Sequence, residues 1–278
     1  TGTGLNMSST RAAPLTPQGT GDNEAVTAST AGFVGVVSGN ASEGHTNDTS
    51  TSSASLGSTA HTIHAGNLTV ASWNTALYSA HADSTNAGVV GASGAFATFN
   101  GNTSATTTIP SSLTIVSSGI VEISSENDFF EEPGGNTQAP QDNVDAAGGG
   151  GISLTAAESS SDITGHSTVS IGTGFNVSAL NAPESPLASI GIDAGSSLIA
   201  GDIVDLETGG AIDGAGVDSE LTGHLYTEVD LGTGSTFTSS QNIGIGVWTI
   251  VSGSLEADES TWGLAAVGFA DANMSVDS

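Results

Sequence analysis

The sequence predicts an all-β chain wound as a β-solenoid, and three observations carry that expectation. Short β-type runs bounded by Gly, Asn, Asp or Ser recur along the chain, with little sign of helical periodicity. A strand–turn–strand cassette recurs four times. The chain is also poor in core formers, with 39 Gly among 278 residues but only 8 Phe, 3 Trp and 2 Tyr. That is too little bulk for a thick α/β core. A β-sandwich with Gly-rich turns is the alternative, but a sandwich has no reason to repeat one cassette.

The runs are Leu68–Val70, Leu113–Val116, Ile120–Ile123, Ile203–Leu206 and Ile243–Val247. The cassettes begin at Ala54, Thr106, Ala188 and Asp230. Each has a first apolar residue (Leu56, Ile109, Ile190, Leu231), a small-residue stretch, and a second apolar residue (Ile63, Ile115, Leu198, Phe237). A short turn follows: Gly66-Asn67, Ser118-Gly119, Gly201-Asp202 or Gln241-Asn242. An alternating strand closes each copy, led by Leu68, Val121, Ile203 or Ile243. A partial fifth copy opens near Leu5. Between the cassettes lie Gly/Ala-rich strands starting at Ala31, Ala87 and Trp262, where neighbouring backbones are expected to approach closely. One elongated solenoid is expected to span 1–278, with irregular loop excursions. The largest is a loop or hairpin over 126–151, whose Phe129-Phe130 pair must pack back on the body or on a neighbour. Coils of about 20–25 residues would give roughly 11–13 turns and a rod about 55–60 Å long.

The cassette, a small residue and an aliphatic–Gly step followed by a turn and a second aliphatic strand, resembles the repeat regions of giant bacterial surface proteins. Filamentous-haemagglutinin-like and autotransporter adhesins are the group it is most similar to. The resemblance implies an extracellular, right-handed parallel β-helix used for reach, adhesion or matrix, and it brings no catalytic residues. One departure stands out: those proteins usually retain some Lys, and this chain has none.

Charge narrows the function further. The chain carries 29 Asp and Glu against a single base, Arg11, for a formal net charge of -28. Phosphate backbones and anionic membranes both need basic side chains, so nucleic acid and membrane surfaces are not expected partners. No apolar run reaches the ~18 residues of a spanning helix. With no Cys, disulfides, thiolate metal sites and Cys nucleophiles are excluded. The opening TGTGLNMSST has neither a starting Met nor a signal peptide, and reads as a mature product or a piece of something longer.

Asp202, Asp205, Asp213 and Asp218 lie in one acidic stretch that also holds Glu207 and Glu220. They are the candidate ligands for a structural calcium, since Ca²⁺ takes six to eight oxygens, although no calcium-loop motif is present. A solvated acidic face is the competing expectation. A second acidic group is Glu126, Asp128, Glu131 and Glu132. His61 and His64 are three apart, which on a strand points them to opposite faces. Seven N-x-S/T sequons begin at Asn6, Asn40, Asn47, Asn67, Asn102, Asn176 and Asn273. Trp73, Trp248 and Trp262 are expected to fill gaps where a coil widens or a neighbouring chain docks.

The expected function is therefore non-enzymatic. The chain is read as a β-solenoid segment of a cell-surface fibre, sheath or matrix that associates with copies of itself or with adjoining segments of a longer parent. An adhesin segment binding glycans or other cells is the first alternative. A carbohydrate-active enzyme on the same scaffold is the second, weakened because nothing singles out one carboxylate pair and because a charge of -28 repels acidic sugars. No cofactor other than calcium is expected. With Arg11 as its single basic side chain, even the unfolded protein should be cut by trypsin only after Arg11. Mass spectrometry of an exhaustive digest checks this.

Overall fold

The computed structural model describes residues 14–15, 18–57, 62–131, 144–181 and 187–278, with side chains from residue 30 onward. The described residues hold twelve strands and no helix. In chain order these are β1 Pro14–Leu15, β2 Gln18–Asp48, β3 Thr51–Ser55, β4 Thr62–Ala65, β5 Asn67–Ile109, β6 Thr114–Ser117, β7 Val121–Glu131, β8 Val144–Ile171, β9 Asn176–Ala179, β10 Ile190–Leu231, β11 Thr236–Ser239 and β12 Ile243–Asp277. Every pairing is parallel. The fold is thus all-β, with parallel strands in two sheets, consistent with a β-solenoid.

The register shows the coil. Leu68 pairs with Val121, Val121 with Ile190, and Ile190 with Ile243. Ladder partners such as Asn74 and Asn127 are 53 residues apart, so one coil takes about 53 residues and the described chain makes five layers. At about 4.8 Å per layer the stack is only about 20 Å tall. This corrects the expected short coil and long rod. The coil is long because most of it is an arm that runs out and doubles back. Tyr78 stacks on Phe99 with ring centroids 3.8 Å apart. Ser72 Oγ lies 2.9 Å from Thr107 Oγ1, and Asn86 donates to the Ala92 carbonyl at 2.7 Å. These contacts fold β5 face to face about a reversal near Val89. Val36, Val89, Gly151, Ala211 and Leu264 are the residues skipped by the ladders at the reversals, one per coil. Each limb has about 20 residues, so the coil is a flat blade on the order of 65 Å long.

At the base of the blade three short walls enclose an aliphatic core. It comprises Leu56 and Ile109 from the returning limb, Ile63 and Ile115 from the short strands, and Leu68 and Val121 from the departing limb. Moving outward, a buried polar band follows. Asn74 donates to Asn127 at 2.9 Å, Thr103 to Asn127 at 2.9 Å, and Ser167 to the Ser125 carbonyl at 2.9 Å. Two more apolar clusters lie beyond it, one around Tyr78, Phe99 and Phe129 and one around Ala82, Val144 and Val217. Buried hydroxyls and amides are tolerated there because each coil offers partners to the next.

Three of the four cassettes fall in register: Ile63, Ile115 and Phe237 occupy equivalent places, as do Leu68, Val121 and Ile243. The copy placed at Ala188 does not. Ile190 pairs with Val121, the strand after the turn, and Gly201-Asp202 lies inside β10. The third copy is instead Thr168–Ile190, led by Ile171 and Val177. Within the expected 126–151 excursion, Glu126–Glu131 and Val144–Gly150 are ladder residues and Phe129 is fully buried, while residues 132–143 lie outside the described residues. Leu5 and His61 lie outside them as well.

The Gly-rich strands do mark close approach. Gly35, Gly88, Gly150, Gly210 and Gly263 form one column just before the reversal. A Cβ on Gly88 would sit 2.4 Å from the Gly35 carbonyl oxygen, and one on Gly150 only 1.7 Å from that of Gly88. Gly150 also has φ +155°. The turns before β6, β9 and β11 use the left-handed region, with Ser112, Gly174 and Gly234 at φ 60°, 66° and 76°. Gly150→Ala should therefore destabilise by roughly 1–3 kcal/mol. Ser112→Gly should stabilise by about 1 kcal/mol. Thermal melts of the two variants should move in opposite directions.

Candidate functional site

Alternation along the strands decides where the acids go. Asp202 and Asp213 face the interior and are 2% and 4% exposed, while Asp205 is half-buried and Asp218 exposed on the outer faces. Asp202 and Asp205 precede the reversal at Ala211, whereas Asp213 and Asp218 follow it. The structure therefore spreads these four carboxylates over both limbs and both faces. Among the described residues no three His, Asp or Glu are placed to hold one metal ion.

What the fold does assemble is columns. Asp83, Asp145, Asp205 and Asp258 are successive ladder partners on the departing limb. Glu158, Asp218 and Asp271 form a second column on the returning limb. Like charges one strand apart repel, and in the first column His81 Nε2 lies 2.9 Å from Asp83 Oδ1. The columns were missed in the sequence because their members are a coil apart; Asp218 and Asp271 share the 53-residue spacing that joins Asn74 to Asn127.

Two acidic pockets carry shifted protonation. Asp202 accepts from Ser219 at one oxygen, while its buried Oδ1 has no hydrogen-bond partner. Burial raises its pKa, opposed by the Ser219 and Ser159 hydroxyls. Burial, then the Glu131 and Asp202 carboxylates, push the nearby Tyr78 phenol well above its usual range. On the outer face, burial raises Glu126, with the adjacent Asp128 adding to it. Burial also raises Asp128, partly countered by the Ser197 hydroxyl that donates to it. This neighbouring pair is the nearest approach to an acid–base couple. Glu132 lies outside the described residues. Asp213 is fully served, accepting from Thr208 at 2.9 Å and from Thr261.

The tryptophans of β12 lie against glycines. Trp248 and Trp262 cover their ladder partners Gly195 and Gly209, where a Cβ would fall 2.1 and 2.2 Å from the indole. Both remain exposed, at 36% and 69%, so each covers a glycine of the preceding coil without being enclosed. Trp73 is exposed on β5. His166 stacks on the exposed Tyr226 with ring centroids 4.8 Å apart.

No protein-family model, curated protein or solved structure matches the chain.

A carboxylate whose folded pKa is raised costs stability when ionised, and that cost is relieved as pH falls through the folded pKa. Asp202, Glu126 and Asp128 all shift this way, and the net charge of -28 adds repulsion in the same direction. The melting temperature should therefore rise on going from pH 7 to about pH 5. Asp202→Asn should raise it at pH 7 and flatten the profile. Melts across this range, with and without 0.5 M NaCl (about 4 Å Debye length), read both effects.

Proposed function

We propose that the chain is a non-enzymatic structural segment of an extracellular cell-surface fibre, sheath or matrix, wound as a right-handed parallel β-helix. It associates with copies of itself or with adjoining segments of a longer parent. The observation that carries this reading is the outer edge of β12. Inward-facing residues donate to the following coil, as Leu68 does to Ile120, Val121 to Ser189 and Ile190 to Asn242. Outward-facing residues such as Ser104, Asn176 and Thr236 donate to the preceding one. Among the described residues, the inward-facing positions of the 35-residue β12 have no following coil to receive their N–H groups. A long edge of this kind is a template for another parallel strand. A heterologous contact of that sort propagates into a filament when its rotation does not close. The adhesin-like cassette and the parallel ladder agree with this reading, and right-handed crossovers are the rule for parallel strands.

Divalent ions fit the same picture in a modest role. The two carboxylate columns gain from calcium that screens or bridges their like charges, without a dedicated cage. The glycan-binding alternative draws on the exposed His166–Tyr226 stack, which offers a face to a sugar ring.

Proline tests the edge selectively. At inward-facing Ala257 and Ala270 it removes only donors aimed away from β10, leaving the bonds to β10 intact. Proline at outward-facing Val267 or Phe269 would break those bonds instead. The Ala257→Pro/Ala270→Pro variant should stay folded by circular dichroism yet show shortened or abolished filaments in negative-stain micrographs. Filaments of unchanged length would refute the edge contact.

A further inference from the structure

The apex of the blade is apolar in a way that the fold does not require. Val37, Val90, Ile152 and Ile212 are ladder partners, giving an unbroken column of β-branched side chains just past the reversal. In the middle layers these side chains point to solvent: Val90 is 40% exposed, Ile152 40% and Ile212 56%. Beside the column, on the returning limb, lies a groove of about 490 Å³. Its floor is Ala92, Ala156 and Gly216, and its walls are Leu154 and Phe269. The glycines let those walls form, since a Cβ on Gly216 would meet the Phe269 ring at 2.7 Å and one on Gly214 would meet Leu154 at 3.0 Å.

Charge frames this belt on both sides. The column Asp83, Asp145, Asp205 and Asp258 closes it on one limb, and Glu158, Asp218 and Asp271 close it on the other. Between them the acids are Asp213, buried and hydrogen-bonded, Glu259, which faces inward as the ladder partner of Leu206, and Glu207, exposed two residues from Asp205 at the edge of the first column. On a molecule of net charge -28, the stretch from Thr208 to Val217 and its ladder partners is a belt where a second such molecule can approach without bringing exposed carboxylates together.

We propose that the apex is a side-by-side contact between two copies of this chain, related by a two-fold axis through the middle layer. A two-fold contact needs a surface complementary to itself. The apex supplies both halves, a β-branched ridge and an adjacent small-floored groove. The flanking carboxylate columns limit the overlap to the apex, because deeper overlap would oppose like charges. A belt about 20 Å by 25 Å buries on the order of 1,000 Å² in total, at the lower limit for a specific pair, so the dimer is weak and strengthened by salt. The contact is lateral and does not depend on the end-to-end contact at β12.

Because the chain has no cysteine, the test is direct. Ile152→Cys lies in the middle layer, where the axis brings it opposite its own copy; Ser178→Cys lies in the same coil at the base of the blade. In the Ala257→Pro/Ala270→Pro background, air oxidation should give a disulfide dimer for Ile152→Cys and leave Ser178→Cys monomeric. Sedimentation velocity in 0.5 M NaCl should show a reversible dimer, weakened at least tenfold by Val90→Asp/Ile212→Asp, whose exposed positions leave the melting curve unchanged. Equal crosslinking at the two cysteines, or a dimer indifferent to the apex substitutions, would overturn the proposal. So would copies that stay monomeric while the apex binds a synthetic basic Leu/Lys peptide. Failure of filament growth alone would remove the end-to-end contact and leave this one standing.

Discussion

Everything in this molecule depends on a parallel ladder that must stay in register around a coil of about 53 residues. Each backbone group on a limb points to the coil above or below, so equivalent residues must recur at equivalent places. Register is kept along the chain: the ladder followed to Glu131 is in step again at Val144, and that followed to Ala179 is in step again at Ile190. The glycine column beside the reversal is the sharpest local expression of this constraint. Five coils turn at one place, and their backbones come too close for a Cβ.

The ladder also explains how a chain with so few large side chains folds. Two limbs only one side chain apart need small residues, which is what Ala, Ser and Thr supply. The interior alternates between apolar clusters and bands of hydroxyls and amides, many of them hydrogen-bonded from one coil to the next, as Asn74 is to Asn127 and Ser72 to Ser125. Tyr78, Phe99 and Phe129 thicken the blade at one level, and glycine relieves them: Gly101 lies against Phe99 and Phe129, and Gly165 against Phe129. Acids are confined mainly to the outer faces. Three are buried: Asp48 accepts from the Ser50 amide at 2.9 Å, and Asp202 and Asp213 are received by Ser219 and by Thr208 and Thr261.

The strands, their parallel stacking and the close backbone approach at the Gly-rich segments were legible in the sequence, because turn residues and β-branched pairs are local signals. The coil length was not. The cassettes at Ala54 and Thr106 do lie about one coil apart, but the short runs between them fit a coil of about 20–25 residues equally well. The Ala188 cassette misled because Ile190–Leu206 mimics the pattern one strand out of phase. Period-two alternation does put Asp202 and Asp205 on opposite faces, as observed. The reversal at Ala211, which separates them from Asp213 and Asp218, left only a Gly-Gly-Ala signal. The carboxylate columns and the apex column of Val37, Val90, Ile152 and Ile212 become visible only when the sequence is folded at the coil length.

The central claim is the flat two-limbed coil, and a distance across it tests that claim most directly. Spin labels at Val89→Cys and Thr114→Cys, in protein diluted with unlabelled chain, sit at the apex and the base of the same coil. Double electron–electron resonance should give a narrow distribution near 60–70 Å, from about 20 extended residues at roughly 3.3 Å each. A distance below about 45 Å would mean that the coil is compact and that the blade, with its apex and its columns, does not exist.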